Sequence, residues 1–268
     1  MLGERIIGTF RMLNLKPRLS RDGELTPTAR GWIFRIPAGP AHRYRLSQLD
    51  DHLGMARTEY PWRPPMRMQL EARASAEMLP GTWGFGLWND PYGFSFGPGN
   101  GFLRLPALPQ AAWFFFSSPT SYLSFRDDKP ANGLLAQLFA GRGFSPVLFR
   151  AVATLPFWPK TARQLFSRVV LEDAARVGGE APNEGAKPPV EDVTQWHKYG
   201  LEWMPEGTVF HVDETPVLRS LLSPRPPMGL VIWIDNQYAG FTPQGKLTWG
   251  LEENLEPAWV EIRDLVVE

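Results

Sequence analysis

Aromatic side chains lie close to short polar side chains at two places in the chain. Trp88 immediately precedes Asn89, and Trp233 stands two residues before Asp235. A third tryptophan, Trp113, begins a run of aromatic residues. Indole rings stack on the apolar faces of sugar rings, while neighbouring amides and carboxylates bond to sugar hydroxyls. These residue types in this pattern therefore indicate a carbohydrate-binding cleft.

The stretch around Trp113 is aromatic and hydroxylic. It reads A-A-W-F-F-F-S-S-P-T-S-Y-L-S-F and contains no carboxylate. Phe115 and Ser117 lie in this apolar and hydroxylic stretch with Trp113. Phe115 and Ser117 are therefore further candidates for ligand binding.

Three titratable residues allow both a functional and a structural interpretation. His197 is the kind of group that changes charge near neutral pH, and Glu202 follows on the same predicted strand. Both are candidate ligand-binding residues, although a histidine at this place also fits a structural role in a hairpin. Asp235, beside Trp233, is either a functional carboxylate, which has a raised pKa or binds sugar hydroxyls, or a satisfied strand-end aspartate.

Composition excludes several classes of function. The chain has no cysteine, which excludes disulfides and thiolate sites. Its four histidines lack the spacing of zinc ligands, so we predict no metal site and no cofactor. Calcium binding is the alternative to this prediction, but the sequence contains no Asp-x-Asp-x-Asp loop that would support it. Lys+Arg and Asp+Glu are equal at 28 each, so the chain has no net positive charge that would attract nucleic acid.

The first residues lack an uninterrupted apolar run because Arg5, Arg11 and Lys16 interrupt it. We therefore expect no signal peptide and no membrane-spanning helix, and we predict a cytoplasmic location.

Alternation with a period of two predicts strands along most of the chain. The clearest case is the hairpin from Trp196 to Leu218, in which Met204-Pro205-Glu206-Gly207 and Asp213-Glu214 are turns. Met66–Ser75 alternates cleanly, and Pro227–Asn236 is an apolar strand buried on both faces. In Gly81–Pro91 glycines alternate with bulky residues, which lets a ligand or a second layer approach the backbone. Ala258–Val267 is the terminal strand.

The hairpin resembles a segment of a known superfamily. Trp196, His197, Tyr199, Glu202 and Trp203 match the Trp-His-x-Tyr-x-x-Glu-Trp pattern of concanavalin A-like lectins and glucanases, in particular glycoside hydrolase family sixteen. The resemblance covers roughly residues 66–125 and 195–267. It implies an all-β fold, a concanavalin A-like β-sandwich or jelly roll of two antiparallel sheets, in a single domain over residues 1–268.

In the family that is resembled, a Glu-x-Asp-x-x-Glu strand carries the nucleophile and the acid/base. The corresponding stretch here is Ala111–Phe125, which has no acidic residue. The resemblance therefore implies a related fold without the two-carboxylate hydrolysis machinery.

Two parts of the chain have no counterpart in the family pattern: roughly the first 60 residues, which include an N-terminal extension over residues 1–30, and an insertion over residues 131–192. Residues 131–178 have helical spacing, with Gly178-Gly179 as a stop. The insertion is basic and apolar, so its helices either pack on the sandwich as a lid or lie on an anionic membrane through Arg150, Lys160 and Arg163.

Three functions follow as hypotheses. The first is a glucanase-like protein that binds a carbohydrate or another small ligand and lacks the hydrolytic carboxylates. The second is an enzyme with non-standard catalytic residues whose aromatic cleft accepts an apolar or glycosylated small molecule. The third is a peripheral membrane protein that uses the insertion.

Overall fold

The computed structural model describes residues 13–91, 107, 109–123, 130–141, 183–241 and 247–268. These residues form seventeen strands and one short 3-10 turn at Arg57–Glu59. In chain order the strands are β1 Lys16–Leu19, β2 Glu24–Pro27, β3 Gly31–Ile36, β4 Leu46–Asp50, β5 Met66–Ala74, β6 Thr82–Trp88, β7 Gln110–Ser117, β8 Tyr122–Leu123, β9 Gly133–Ala140, β10 Asn183–Ala186, β11 His197–Met204, β12 Gly207–Val212, β13 Thr215–Ser220, β14 Gly229–Asp235, β15 Gln237–Phe241, β16 Leu247–Leu251 and β17 Ala258–Val267.

Two antiparallel seven-stranded sheets form a sandwich, as the sequence predicts. Sheet I has the order β1-β4-β14-β6-β7-β9-β10, and sheet II has the order β13-β12-β11-β5-β17-β3-β2. A small third sheet, β16-β15-β8, continues from the end of β14. The jelly roll therefore brings together strands that are far apart in sequence; β4 and β6, for example, flank β14.

Alternate side chains of the two large sheets meet in one aromatic core. Phe85 and Phe114 of sheet I face Tyr199 of sheet II, with ring centroids 5.1 and 4.9 Å from the tyrosine ring. Phe210 packs edge-on against Phe114 at 5.2 Å. All four residues are essentially inaccessible to water, and burial of each aromatic ring contributes on the order of 2–3 kcal/mol.

The predicted hairpin is confirmed. β11 and β12 pair from Tyr199 with Val212 to Met204 with Gly207. Asp213 and Glu214 adopt positive φ angles of 47° and 68°, the turn geometry that directs the chain into β13. The strand predictions for the segments around β5, β6, β14 and β17 are also confirmed.

The helical prediction is wrong where the structure describes that segment. Residues 133–140 form β9, which pairs with β7, and residues 183–186 form β10. The rest of the predicted insertion, residues 142–182, lies outside the described residues. Among the described residues no helix is long and apolar enough to cross a bilayer.

Two strands within residues 13–30 contribute to the two sheets. β1 pairs with β4 at one edge of sheet I, and β2 pairs with β3 at one edge of sheet II. These strands of the predicted extension are thus part of the sandwich.

Candidate functional site

The candidate site is the face of sheet I that points away from the core, which we call the outer face. Because successive residues of a strand point to opposite sides, the outer face takes every second residue. Its described members include Lys16 and Arg18 on β1, Leu46, Gln48 and Asp50 on β4, Gly229, Val231, Trp233 and Asp235 on β14, Thr82, Gly84, Gly86 and Trp88 on β6, Ala111, Trp113, Phe115 and Ser117 on β7, Gly133, Leu135, Gln137 and Phe139 on β9, and Gly185 on β10.

Five aromatic rings form a continuous cluster on the outer face, with Trp113 at its centre and Phe139 edge-on to it at 6.1 Å. The Trp113 ring lies 6.0 Å from Trp88, 5.4 Å from Phe115 and 5.6 Å from Trp233, centroid to centroid. Phe115 and Trp233 are buried, at 7% and 8% exposure, whereas Trp88 and Trp113 are partly exposed. Phe115 and Trp233 therefore form the floor of the cluster, and Trp88 and Trp113 form its accessible part.

Hydrogen bonds hold the indole groups of the accessible pair. Trp88 Nε1 donates to His52 Nε2 at 3.2 Å, and Trp113 Nε1 donates to Gln137 Oε1 at 3.4 Å. The His52 ring in turn packs on Tyr60, with centroids 4.6 Å apart. Each ring is therefore tied at its polar edge, and the exposed part of each ring is apolar surface that a ligand can contact.

Asp235 lies at one end of the outer face in a hydrogen-bonded network. Trp233 Nε1 donates to Thr82 Oγ1 at 3.0 Å, and Thr82 Oγ1 donates to Asp235 Oδ1 at 2.6 Å. Tyr44 donates its hydroxyl to Asp235 Oδ2 at 3.2 Å. The chain brings these residues together because β14 pairs Asp235 with both Leu46 and Thr82.

Burial changes the ionisation of this network. Loss of hydration raises the pKa of the Asp235 carboxyl to about 6, although the hydrogen bonds from Thr82, Gln237 and Tyr44 oppose the shift. Burial and the neighbouring Asp235 charge raise the pKa of Tyr44 well above its ordinary value. Asp235 is therefore a carboxyl group that changes charge near pH 6.

A second polar group lies at the opposite end of the outer face. Gln48 Nε2 donates to Asp50 Oδ2 at 2.8 Å, and Arg18 Nη2 lies 4.0 Å from the same oxygen. His52 Nδ1 lies 3.9 Å from Asp50 Oδ1 and 3.5 Å from Asp51 Oδ1. Aromatic rings thus occupy the middle of the face, and polar side chains occupy both ends.

Asn89 and Ser117 are at the margins of the outer face. Asn89 is buried, and its side-chain oxygen accepts a hydrogen bond from the backbone N–H of Gln110 at 3.1 Å. Ser117 lies directly opposite Thr82, and its buried hydroxyl has no hydrogen-bond partner in the part of the chain that the structure describes. Asn89 thus connects two strands, and Ser117 adds an unpaired polar group beside the Asp235 network.

The structure places His197 and Glu202 elsewhere, on sheet II. His197 Nδ1 lies 2.7 Å from Asp213 Oδ2, and its Nε2 lies 3.0 Å from the Asp192 carbonyl oxygen. Glu202 points to solvent, 3.7 Å from Arg67 Nε. The core separates both residues from the outer face. His197 connects the turn at Asp213 with the backbone at Asp192, and Glu202 lies on the surface of the hairpin.

The hydrogen bonds at Asp213 offset its partial burial. Burial alone raises the pKa of this carboxyl, but bonds from the His197 ring and the Lys198 backbone N–H outweigh it and lower the pKa. This arrangement fixes the β12–β13 turn to the start of β11.

The acidic side chains on the described outer face are Asp50 and Asp235. Asp50 pairs with Val231, four residues before Asp235 on β14, which corresponds to about 14 Å along the strand. Two-carboxylate glycosidases need about 5–5.5 Å for retention or about 6.5–9.5 Å for inversion. This pair is therefore too widely spaced for either mechanism. On β7 the outer face carries Ala111, Trp113, Phe115 and Ser117.

Several partner residues were not identified from sequence. Tyr44, His52, Thr82 and Gln137 hold the aromatic cluster and Asp235, yet each reaches its partner through strand pairing over a long sequence distance. For Tyr44 the only sequence signal is alternation with Leu46, Gln48 and Asp50. The predicted membrane contacts Arg150, Lys160 and Arg163 lie outside the described residues. Within the described part of the chain, no group of three His, Asp or Glu residues could hold a metal ion.

Comparison with known proteins finds similarity at the level of structure. A glycoside hydrolase family protein from Mycobacterium thermorestibile is 13% identical, with 87% of this chain and 76% of that chain covered and a TM-score of 0.41. A legume lectin-like domain from Entamoeba histolytica is 10% identical, with 95% and 89% covered and a TM-score of 0.46. A Crh5 transglycosylase in complex with NAG is 9% identical, with 95% and 78% covered and a TM-score of 0.47. No family model and no curated protein matches the sequence.

Proposed function

We propose that this protein binds a carbohydrate on the outer face of sheet I. The observation that supports it is the pair Trp88 and Trp113, two partly exposed indoles side by side whose N–H groups are already bonded to His52 and Gln137. Partly exposed indoles whose polar edges are already bonded suit the apolar face of a sugar ring.

The polar groups around the pair suit sugar hydroxyls. Asp235 and Thr82 lie at one end of the aromatic cluster, and Asp50 lies at the other. Asp50 is inaccessible to water and accepts the hydrogen bond from Gln48, whereas Asp235 and Thr82 keep 7% and 8% exposure, so a saccharide that stacks in the middle has a carboxylate and a hydroxyl at the Asp235 end with which to bond. Trp233 and Phe115 support the stacking residues from below and exclude water.

The direct test is titration with defined oligosaccharides, namely laminarihexaose, cellohexaose and chitohexaose, followed by calorimetry. We expect saturable binding of at least one of them, and we expect binding to weaken when Trp113 is replaced by Ala. Absence of binding to all three and to a broad glycan array contradicts the proposed function.

A second candidate function is an enzyme that uses Asp235 as an acid. The observation that favours it is a carboxyl group with a pKa raised to about 6 beside an aromatic surface, because a general acid works best when its pKa is near the working pH. Asp235→Asn removes the acidic proton and keeps the size of the side chain. Turnover of an aryl glycoside that is lost in this variant but retained in Asp50→Asn supports the enzyme; equal turnover in both variants excludes Asp235 as the acid.

A further inference from the structure

A depression separate from the outer face lies at the open edge between the two sheets. Its volume is about 460 Å³. It is formed by the turn between β1 and β2 and by the segment that connects β3 to β4. We call it the Arg45 pocket, and its lining residues are Arg21, Asp22, Gly23, Glu24, Pro37, Ala38, Gly39, Pro40, Arg43 and Arg45.

Arg45 is a buried cation without a carboxylate partner in the described part of the chain. Only 1% of the residue is exposed. Its Nη2 donates to the Pro40 carbonyl oxygen at 3.0 Å, whereas its Nη1 has no hydrogen-bond partner among the described residues. A buried guanidinium is normally paired with an anion, because removal of a charge from water without compensation is costly.

The acidic residues of the pocket do not supply that anion. Asp22 Oδ2 lies 3.5 Å from Arg43 Nη1, and Glu24 Oε2 lies 3.9 Å from Arg35 Nη1. Each acid therefore already faces another arginine. Arg21, exposed at the rim, has no ion pair with any described residue, so it adds a second uncompensated positive charge.

The backbone is adapted to the position of the Arg45 side chain. Gly39 has φ +152°, and a Cβ built on it would lie 2.2 Å from Arg45 Nη2. The backbone conformation therefore favours glycine at this position, and a side chain here would displace the guanidinium that lies against it. Hydrogen bonds of Gly39 with Asn254, at 2.7 and 2.9 Å, hold this segment in place.

From these observations we infer that the Arg45 pocket binds a small oxyanion, through Arg45 and Arg21. The planar guanidinium fork matches the oxygens of a carboxylate or a phosphate. The volume exceeds that of inorganic phosphate and admits a sugar acid, with Pro37, Ala38 and Pro40 as an apolar wall. The inference is independent of carbohydrate binding on the outer face.

The test is calorimetric titration and thermal unfolding with inorganic phosphate, D-glucuronate and D-glucose, each against chloride at matched ionic strength. We expect saturable millimolar binding of phosphate or glucuronate and no response to glucose. Preference for glucuronate assigns the pocket to a sugar carboxylate, and preference for phosphate assigns it to a phosphate group. Absence of saturable binding of both anions overturns the inference.

Variants locate the site. Arg21→Gln changes an exposed residue and should weaken anion binding about fivefold to tenfold, since it removes one charged hydrogen-bond donor. Arg45→Met should abolish anion binding. The unfolding temperature of this variant should therefore be the same with and without phosphate. The matched control is Arg219→Gln, an exposed arginine on β13. If Arg219→Gln weakens anion binding as much as Arg21→Gln does, the effect is nonspecific and the site is refuted. If Arg45→Met does not fold, the comparison of Arg21→Gln with Arg219→Gln decides the test.

Discussion

The indole ring of Trp233 lies directly over Gly84 of the neighbouring strand. A Cβ built on Gly84 would lie 2.8 Å from ring carbon Cη2 of Trp233 and 2.4 Å from the Phe114 carbonyl oxygen. The alternating glycines of this strand therefore admit an aromatic layer made by the protein itself. That layer carries the accessible tryptophans of the proposed site.

Replacement of Gly84 by Ala should destabilise the fold and displace Trp233. The expected cost is about 1–3 kcal/mol, because the added methyl group meets backbone and a ring that is held by Thr82. Urea unfolding and the tryptophan fluorescence spectrum measure both effects. The control is Gly185→Ala in the same sheet, where a Cβ finds ordinary contacts of 3.7 Å or more. Equal stability of the two variants would contradict the packing described here.

Trp113 and Trp233 should respond differently to replacement by Ala. Loss of Trp113 removes a stacking surface and should weaken saccharide binding by about 1–3 kcal/mol while the fold survives. Loss of Trp233 leaves a cavity under the cluster and should cost about 3–5 kcal/mol of stability. Calorimetric titration and thermal unfolding separate the two effects. Trp259→Ala on sheet II is the control, and an equal loss of binding in this variant would argue against the outer face.

The protein should not cleave β-1,3- or β-1,4-glucans above background. The reason is that β7 presents no carboxylate and that Asp50 and Asp235 are about 14 Å apart along the strand. Release of reducing sugar from laminarin and barley glucan is the measurement, with an active glucanase as the positive control. Activity that disappears on replacement of one acidic residue would refute this prediction.

Asp235 should make the protein less stable as the pH rises from about 4 to 6. Its folded-state pKa is raised from 3.8 to about 6, so within this window the folded state binds the proton more tightly than the unfolded state. The contribution of Asp235 to the free energy of unfolding therefore falls by about 3 kcal/mol across the window and is constant above it. In Asp235→Asn this fall should be missing.

Asp213→Asn provides a control of opposite sign. Bonds from His197 and Lys198 lower the pKa of Asp213, so its stabilisation is present above pH 4 and is lost as the pH falls through the folded-state pKa. Asparagine also tolerates the positive φ at this position. Urea unfolding of wild type and both variants from pH 3.5 to 7.5 gives the differences; parallel curves for Asp235→Asn and wild type would show that Asp235 is ionised like an ordinary aspartate.

Alternation in the sequence was sufficient to predict the strands that are buried on one face. In β5, Met66, Met68 and Leu70 enter the core while Arg67 and Gln69 face solvent. The amino-acid sequence of this strand therefore alternates between apolar and polar residues. The paired turns of the hairpin were predicted for the same kind of local reason, from Pro205, Gly207 and Asp213-Glu214. These features depend only on residues that are neighbours in the chain.

β9 shows where local pattern fails. Leu134, Ala136 and Leu138 face the core, while Leu135, Gln137 and Phe139 are buried on the outer face. A strand buried on both sides loses its alternation, and its leucines then also match helical spacing. Only the pairing of β9 with β7 shows that the segment is a strand.

The candidate site was likewise identified partly from the sequence and partly from the tertiary structure. The sequence by itself identified Trp88, Trp113, Trp233 and Asp235, because aromatic and acidic residue types mark them. Their assembly on one face, and the assignment of His197 and Glu202 to the other sheet, depended on which distant strands pair. Pairing of β14 with β4 and β6 places Asp235 beside Tyr44 and Thr82, across sequence separations of 191 and 153 residues. Local spacing carries no information on such contacts, because the burial that stabilises them is gained only when the whole sandwich closes.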